Sequence, residues 1–213
     1  MMNISVIGAG YVGLITGIGF AKLNHQVSIV DLNDDLIKNL NENRPPFYEP
    51  ELVDYLNDSN IRNNLFFSTS YQKSINENTD IVFVCVQTPT DPDTGKTKTD
   101  YISSVMTELK KIESFNFIIC IKSTIKATLV EKISNEIDLD YKKIIFNPEF
   151  LREGSAFYDF FNPDRIVIGG SDQKGLNQCT ELYESFDCEK IITDSNSSQT
   201  VSYTHLRAHE TIV

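Results

Sequence analysis

Long apolar runs are missing from this chain. No stretch approaches the ~20 residues needed to cross a bilayer, so no membrane partner is expected. The N-terminus runs straight into Ile4-Ser5-Val6-Ile7, so no signal peptide is expected. Positive charge is scarce as well. Lys and Arg number 19 against 30 Asp and Glu, a formal net charge of -11, and this argues against nucleic acid as a partner. The four cysteines form neither a metal spacing nor a disulfide framework. Cys85 lies inside Val82-Phe83-Val84-Cys85-Val86 and Cys120 inside Phe117-Ile118-Ile119-Cys120-Ile121, so both are expected as buried strand thiols. Cys179 and Cys188 are expected as ordinary intracellular thiols, with a cytoplasmic location as the default. Of three histidines, His205 and His209 share an i, i+4 spacing near the C-terminus. No further ligand is evident, so no metal site is expected.

What is present is a regular alternation. Continuous apolar runs recur at 3–7, 26–30, 81–86, 116–121, 144–146 and 166–168, with a weaker one around Leu65-Phe66-Phe67. Runs apolar on both faces belong to parallel strands covered on each side by helices. Helix-patterned segments fall between them at 11–23, 34–42, 51–57, 100–113, 126–137 and 172–185, and Asp100 and Thr124 read as helix-entry residues. The 213 residues therefore predict an α/β fold, a doubly wound, mostly parallel Rossmann-type sheet with helices on both faces. The expected domain spans 1–194. Residues 195–213 turn Ser/Asn/Gln-rich and read as a tail, foreign or out-of-frame, joined at a truncation.

The first apolar run leads into Gly8-Ala9-Gly10-Tyr11-Val12-Gly13, and the second ends at Asp31. A lone G-x-G-x-x-G is weak evidence. Here it follows a strand, opens a helix and is answered by an acid at the next strand end, as a dinucleotide-binding βαβ unit requires. Gly8 would allow the tight turn, Gly10 the close approach of a pyrophosphate, and Gly13 the packing of helix on sheet. Asp31 would accept from the adenosine ribose and repel a 2′-phosphate, which favours NAD over NADP.

In doubly wound sheets, ligand sits outside the carboxyl ends of the strands. The run 81–86 delivers Gln87-Thr88-Pro89-Thr90 there. The run 116–121 delivers Lys122-Ser123-Thr124, and 144–146 delivers Asn147-Pro148-Glu149-Phe150-Leu151-Arg152-Glu153-Gly154. In so acidic a chain an anion site must be built locally, from helix N-termini and basic residues such as Arg44, Lys122, Arg152 and Arg165. A structural reading stands beside each functional one. Thr124 can serve as an N-cap, Glu153 as a helix-entry carboxylate, and Arg165 as an ion-pairing anchor.

The segments Gly8–Leu14, Thr88-Pro89-Thr90, Lys122-Ser123-Thr124, Asn147–Ser155 and Pro163–Gly169, with the proline loop ending Tyr48-Glu49-Pro50, resemble the UDP-glucose/GDP-mannose dehydrogenase family over roughly residues 3–194. The resemblance implies an N-terminal NAD-binding domain. The parent enzyme would oxidise the C6 alcohol of a nucleotide sugar to a carboxylate with two NAD, through an aldehyde and a cysteine thioester. UDP-glucose, giving UDP-glucuronate, is the expected substrate, and the parent is expected to be a homodimer. The alternatives are GDP-mannose or a UDP-N-acetylhexosamine as substrate, or a non-catalytic NAD-binding module. By the same resemblance the cofactor would be held by Gly8, Gly10, Tyr11, Val12, Gly13, Asp31, Thr88, Thr124 and Glu153. Substrate would lie along Glu149, Phe150, Leu151, Arg152 and Glu153, with Thr124 and Glu153 as catalytic groups and Glu153 a base. The family's Gly-Gly-x-Cys-x-x-Lys-Asp segment is absent, as are its substrate-holding Lys and Asn, so the C-terminal substrate domain is missing and this chain alone is expected to be inactive. Ile125-Lys126-Ala127-Thr128 replaces the family's proline and glycine, and Leu36 replaces a basic residue near the ribose acid.

Overall fold

In the computed structural model, which describes residues 1–112 and 116–200, eight strands form one sheet. They are β1 (Asn3–Ile7), β2 (Gln26–Val30), β3 (Leu65–Ser68), β4 (Ile81–Val84), β5 (Ile118–Ile121), β6 (Ile144–Phe146), β7 (Arg165–Gly169) and β8 (Glu189–Thr193). Their spatial order is β3-β2-β1-β4-β5-β6-β7-β8, and β1 to β6 run parallel in the order of a Rossmann sheet. β7 then turns back. It meets β6 antiparallel at Phe146 and Gly169 and carries β8 parallel to itself.

Alternation along the strands sends apolar side chains to both faces. Ile81 and Phe83 of β4 join a core with Val6, Ile29, Cys120 and Ile168, whereas Val82 and Val84 join a second core with Val30, Ile119 and Phe146. The first face is covered by α1 (Tyr11–Lys22), α3 (Leu52–Asn57), α8 (Ala156–Phe161) and α9 (Gln173–Leu182). The second is covered by α6 (Asp100–Lys111) and α7 (Ala127–Glu136). The remaining helices, α2 (Asp34–Asn41), α4 (Ser59–Arg62) and α5 (Tyr71–Ser74), lie in the connections.

Helix α1 has no polar stripe, and Gly13 through Ala21 are all buried. A helix apolar all round must be sandwiched. Phe20 is the centre of that sandwich. Its ring stacks at 5.5 Å on Phe83 of the sheet and meets Phe160 of α8 edge-on at 5.2 Å. Burying each such ring contributes about 1.5–3 kcal/mol, so α1, the element that presents the glycine turn, is fixed on two sides.

Several sequence expectations need correction. β8, α4, α5 and α8 have no counterpart among the apolar runs and helix-patterned segments of the sequence. Asp100 is the first residue of α6 rather than its cap, which is Thr99. Thr124 caps nothing, because α7 begins three residues later behind Lys126. Glu153 likewise precedes the cap of α8, Ser155. Beyond β8 the chain is helical over 195–200. Asp194 caps this turn, accepting from the Asn196 and Ser197 amides at 2.9 and 3.0 Å. Ser198 is fully buried, its Oγ 2.1 Å from where a Cβ on Gly169 would stand, so packing against the sheet continues through this turn. His205 and His209 lie outside the described residues.

Candidate cofactor and substrate site

The glycine turn follows β1 directly, and Gly8 donates its N–H to the Val30 carbonyl at 2.8 Å. Two of its glycines are required by the protein itself. Gly8 has φ +100°, and its Cβ would stand 2.7 Å from the Cys85 carbonyl oxygen. A Cβ on Gly13 would lie 1.9 Å from the Gly8 carbonyl oxygen. Gly10 differs, since nothing lies within 4 Å of its missing Cβ. The space it leaves open faces the start of α1, which has no side-chain cap and no acid in its first turn. That end presents N–H groups without intrahelical partners and the positive end of the helix dipole. An open cradle at Gly10 beside uncapped amides fits a dinucleotide pyrophosphate.

Asp31 leaves β2 beside this turn. Its Oδ2 accepts from the Ala9 N–H at 2.9 Å and its Oδ1 from the Asn33 N–H at 3.0 Å. The carboxylate is half-buried and oriented by backbone, with lone pairs remaining for a ligand hydroxyl.

The loops after β4 and β5 are tied together. Thr88 Oγ1 donates to the Thr124 carbonyl at 2.8 Å, and Ser123 Oγ to the Val86 carbonyl at 2.6 Å. The two hydroxyl-bearing residues singled out in the sequence are thus neighbours. Lys122 does not face solvent. It is 6% exposed, donates to Asn147 Oδ1 at 3.0 Å and lies 5.7 Å from the Phe83 ring centroid. Asn147 also accepts from the Tyr183 hydroxyl at 2.6 Å and donates to the Val167 carbonyl at 2.9 Å. This buried network joins the ends of β5 and β6 to β7 and α9.

Within the loop after β6, Glu149 Oε2 accepts from the Leu151 N–H at 2.6 Å. Arg152 is held by Asp159, with Nη2 to Oδ1 at 2.6 Å and Nε to Oδ2 at 3.1 Å, so its charge is balanced within the protein. Glu153 is exposed and Gly154 takes φ +85°. Because β7 runs backwards, its first residue Arg165 stands on the same rim as the carboxyl ends of β1 to β6, its guanidinium 5.4 Å from the Phe150 ring. A cavity of about 340 Å³ opens between these segments, lined among others by Thr16, Lys122, Glu149, Phe150 and Arg165. Arg44, in the proline loop, is engaged locally. It pairs with Glu42 and Asn39 beside the end of α2.

Sequence reasoning missed the role of Glu49. This carboxylate is 3% exposed. Its Oε2 accepts from the Tyr11 hydroxyl and the Gly154 N–H, and its Oε1 from the Ala156 N–H, all at 2.9 Å. Burial first, and then the Glu49 carboxylate, push the Tyr11 hydroxyl well above its ordinary pKa. The only hint in the sequence is an acid between prolines in a stiff loop. Cys85 is buried, which raises its thiol to about 12, and Cys120 Sγ lies 4.0 Å from Cys179 Sγ inside the core. Both are small apolar fillers, but only Cys120 lies in a strand, because β4 ends at Val84. Among the described residues no group of three or more His, Cys, Asp or Glu could hold a metal ion, and no helix is long and apolar enough to cross a membrane.

The sequence pattern of the UDP-glucose/GDP-mannose dehydrogenase family, NAD binding domain, matches residues 2–187. The chain is 34% identical over 210 residues to UDP-glucose 6-dehydrogenase YwqF of Bacillus subtilis, covering 95% of this chain and 47% of that protein. Its fold superposes on a GDP-mannose dehydrogenase from Pseudomonas aeruginosa with a TM-score of 0.90 at 26% identity, over 98% of this chain and 50% of the other. A UDP-glucose dehydrogenase from Pyrobaculum islandicum gives 0.86 at 33% identity, over 96% and 49%. The chain spans about half the length of the relatives it matches. With the glycine turn, Asp31 and the strand-end loops gathered on one rim, this chain belongs to the UDP-glucose/GDP-mannose dehydrogenase family and carries its NAD-binding domain.

Proposed function

We propose that this domain serves a nucleotide-sugar dehydrogenase that oxidises the C6 alcohol of UDP-glucose to a carboxylate. Support comes from the arrangement of one rim, where Asp31 is bonded to the glycine turn, Thr88 to Thr124, and Tyr11 to the loop bearing Glu149 and Glu153. Gly10, Tyr11, Val12 and Gly13 hold the pyrophosphate on backbone N–H groups, Gly8 shapes the turn beneath it with its own N–H on the Val30 carbonyl, and Asp31 accepts from the ribose hydroxyls. Bound NAD supplies the hydride acceptor. Thr88 lies beside the cofactor, and Thr124, to whose carbonyl it is bonded, beside the reacting carbon. Glu153, exposed at the loop tip, accepts a proton from water or substrate. Glu149, Phe150 and Leu151 lie along the sugar. Arg152 orders this loop through Asp159 rather than offering a free charge. The substrate-capturing cysteine and the rest of the sugar site belong to the parent enzyme's other half.

Two measurements test this reading. Calorimetry on the chain should detect NAD binding, with no turnover of UDP-glucose. In the full-length parent, a panel of UDP-glucose, GDP-mannose and UDP-N-acetylhexosamines should give the highest kcat/KM with UDP-glucose. Preference for GDP-mannose would reassign the substrate, and absence of NAD binding to the chain would reject the cofactor residues.

A further inference from the structure

Three segments far apart in sequence meet at one buried carboxylate. The Gly154 amide lies 105 residues from Glu49 along the chain, and Ala156 lies 107. The third donor, Tyr11, is the first residue of α1, immediately after Gly10. The Tyr11 hydroxyl oxygen also sits 3.1 Å from the Arg152 carbonyl, so one proton is shared between the proline loop and the loop after β6. Phe47 packs on the Tyr11 ring at 5.1 Å and fixes its direction.

The consequences concern motion as much as packing. Gly154 has a positive φ and open surroundings, so the loop after β6 can swing there without a side chain in the way. Swinging breaks the two amide bonds to Glu49 and frees the hydroxyl of Tyr11. A ligand seated on the first amides of α1 restrains the backbone of Tyr11, and with it that hydroxyl. Two sites that share a rigid cluster are energetically coupled, and the coupling is reciprocal.

We propose that Glu49 is a positioning residue that couples the two ligand sites. Glu49 and the Tyr11 hydroxyl hold the start of α1 and the Gly154–Ala156 backbone as one unit, so that dinucleotide binding at the glycine turn fixes the loop carrying Glu149 and Glu153. This rests on the cofactor reading above.

Amide hydrogen exchange of the isotopically labelled chain, followed by NMR with and without saturating NAD, separates the two. NAD should slow exchange at Gly10–Gly13 and, by about tenfold, at Gly154 and Ala156. Tyr11→Phe keeps the ring on Phe47 and both amide bonds to Glu49. It should hold basal protection near wild type while cutting the NAD effect at Gly154 and Ala156 to within about twofold. Glu49→Gln, which offers one acceptor oxygen where three donors converge, should lower both basal protection and the NAD effect. If NAD protects Gly10–Gly13 but leaves Gly154 and Ala156 unchanged, or if Tyr11→Phe retains the whole effect, Glu49 only fastens the proline loop and the coupling is refuted. If no amide responds to NAD, the cofactor residues and the coupling fall together.

Discussion

At the β1–β2 end of the rim the backbone is shaped by missing side chains, whereas at the β5–β6 end it is shaped by side chains that bond across loops. Gly8 and Gly13 let a carbonyl approach where no Cβ fits. Lys122, Asn147, Tyr183 and Glu49 instead hold their loops with buried polar bonds. The first device suits a ligand whose phosphates need bare N–H groups. The second suits a site that must keep carboxylates and hydroxyls at fixed positions. The two ends should therefore fail differently when mutated.

The largest effect is expected inside the glycine turn, and it splits two residues that look equivalent in sequence. Gly13→Ala puts a Cβ 1.9 Å from a backbone oxygen and should cost about 3 kcal/mol. For a domain of this size that lowers Tm by roughly 6–12 °C. Gly10→Ala meets no protein atom within 4 Å, so Tm should hold while NAD affinity falls by more than about tenfold, as a Cβ enters the pyrophosphate space. Equal loss of stability in both variants would mean that Gly10 is structural.

At the other end, Lys122 is a buried ammonium whose bonded partner is the neutral Asn147. Among the described residues no carboxylate pairs with the ammonium, and burying a charge without an opposite one is costly. Lys122→Met keeps the stem's volume and removes the charge, and should leave Tm unchanged or higher. Lys122→Ala opens a cavity and should lose about 2 kcal/mol. If the lysine serves the anionic ligands of the rim, the methionine variant of the full-length parent should have lower kcat/KM despite its stability.

A smaller change is expected for Asp31→Asn. The amide still accepts from Ala9 but no longer repels a 2′-phosphate. NAD affinity should fall by about tenfold, and the NAD-to-NADP preference should narrow by a similar factor, roughly 1.4 kcal/mol. An unchanged ratio in calorimetry would place the adenosine ribose elsewhere.

The part of this molecule held by backbone was legible, and the part held by distant side chains was not. Strands β4, β5 and β6 are apolar on both faces, and β1 and β2 are apolar on one face with Ser5 and Ser28 on the other, local properties that a window of sequence displays. The direction of β7 is not local, because Ile166-Val167-Ile168 reads the same whichever way it runs. Yet that reversal is what brings Arg165 to the rim. β8 escaped because it closes the sheet edge and its side chains are half-exposed, so it lacks a doubly apolar run. Thr88 and Thr124 could be placed at adjacent strand ends, but not their mutual bond. Glu49 could not be found at all by spacing, since its partners lie at 11, 154 and 156.

The smallest effect is a pH dependence of the loop that follows β6, and it tests whether Arg152 serves the fold rather than a ligand. Burial alone would raise the Asp159 carboxyl, but the Arg152 guanidinium and N–H and the Ser155 hydroxyl outweigh it and hold Asp159 below its ordinary value. A depressed carboxyl binds fewer protons folded than unfolded. Its contribution to stability is therefore complete above the ordinary aspartate value of about 3.9 and is lost as pH falls through the lower folded value. Asp159→Asn should flatten the Tm-against-pH curve below about pH 4. At neutral pH the loss should be slight, because the guanidinium is largely in solvent. A wild-type acid limb in Asp159→Asn would show that the pair does not order the loop. Arg152 would then be released as a charge that a bound phosphate can claim.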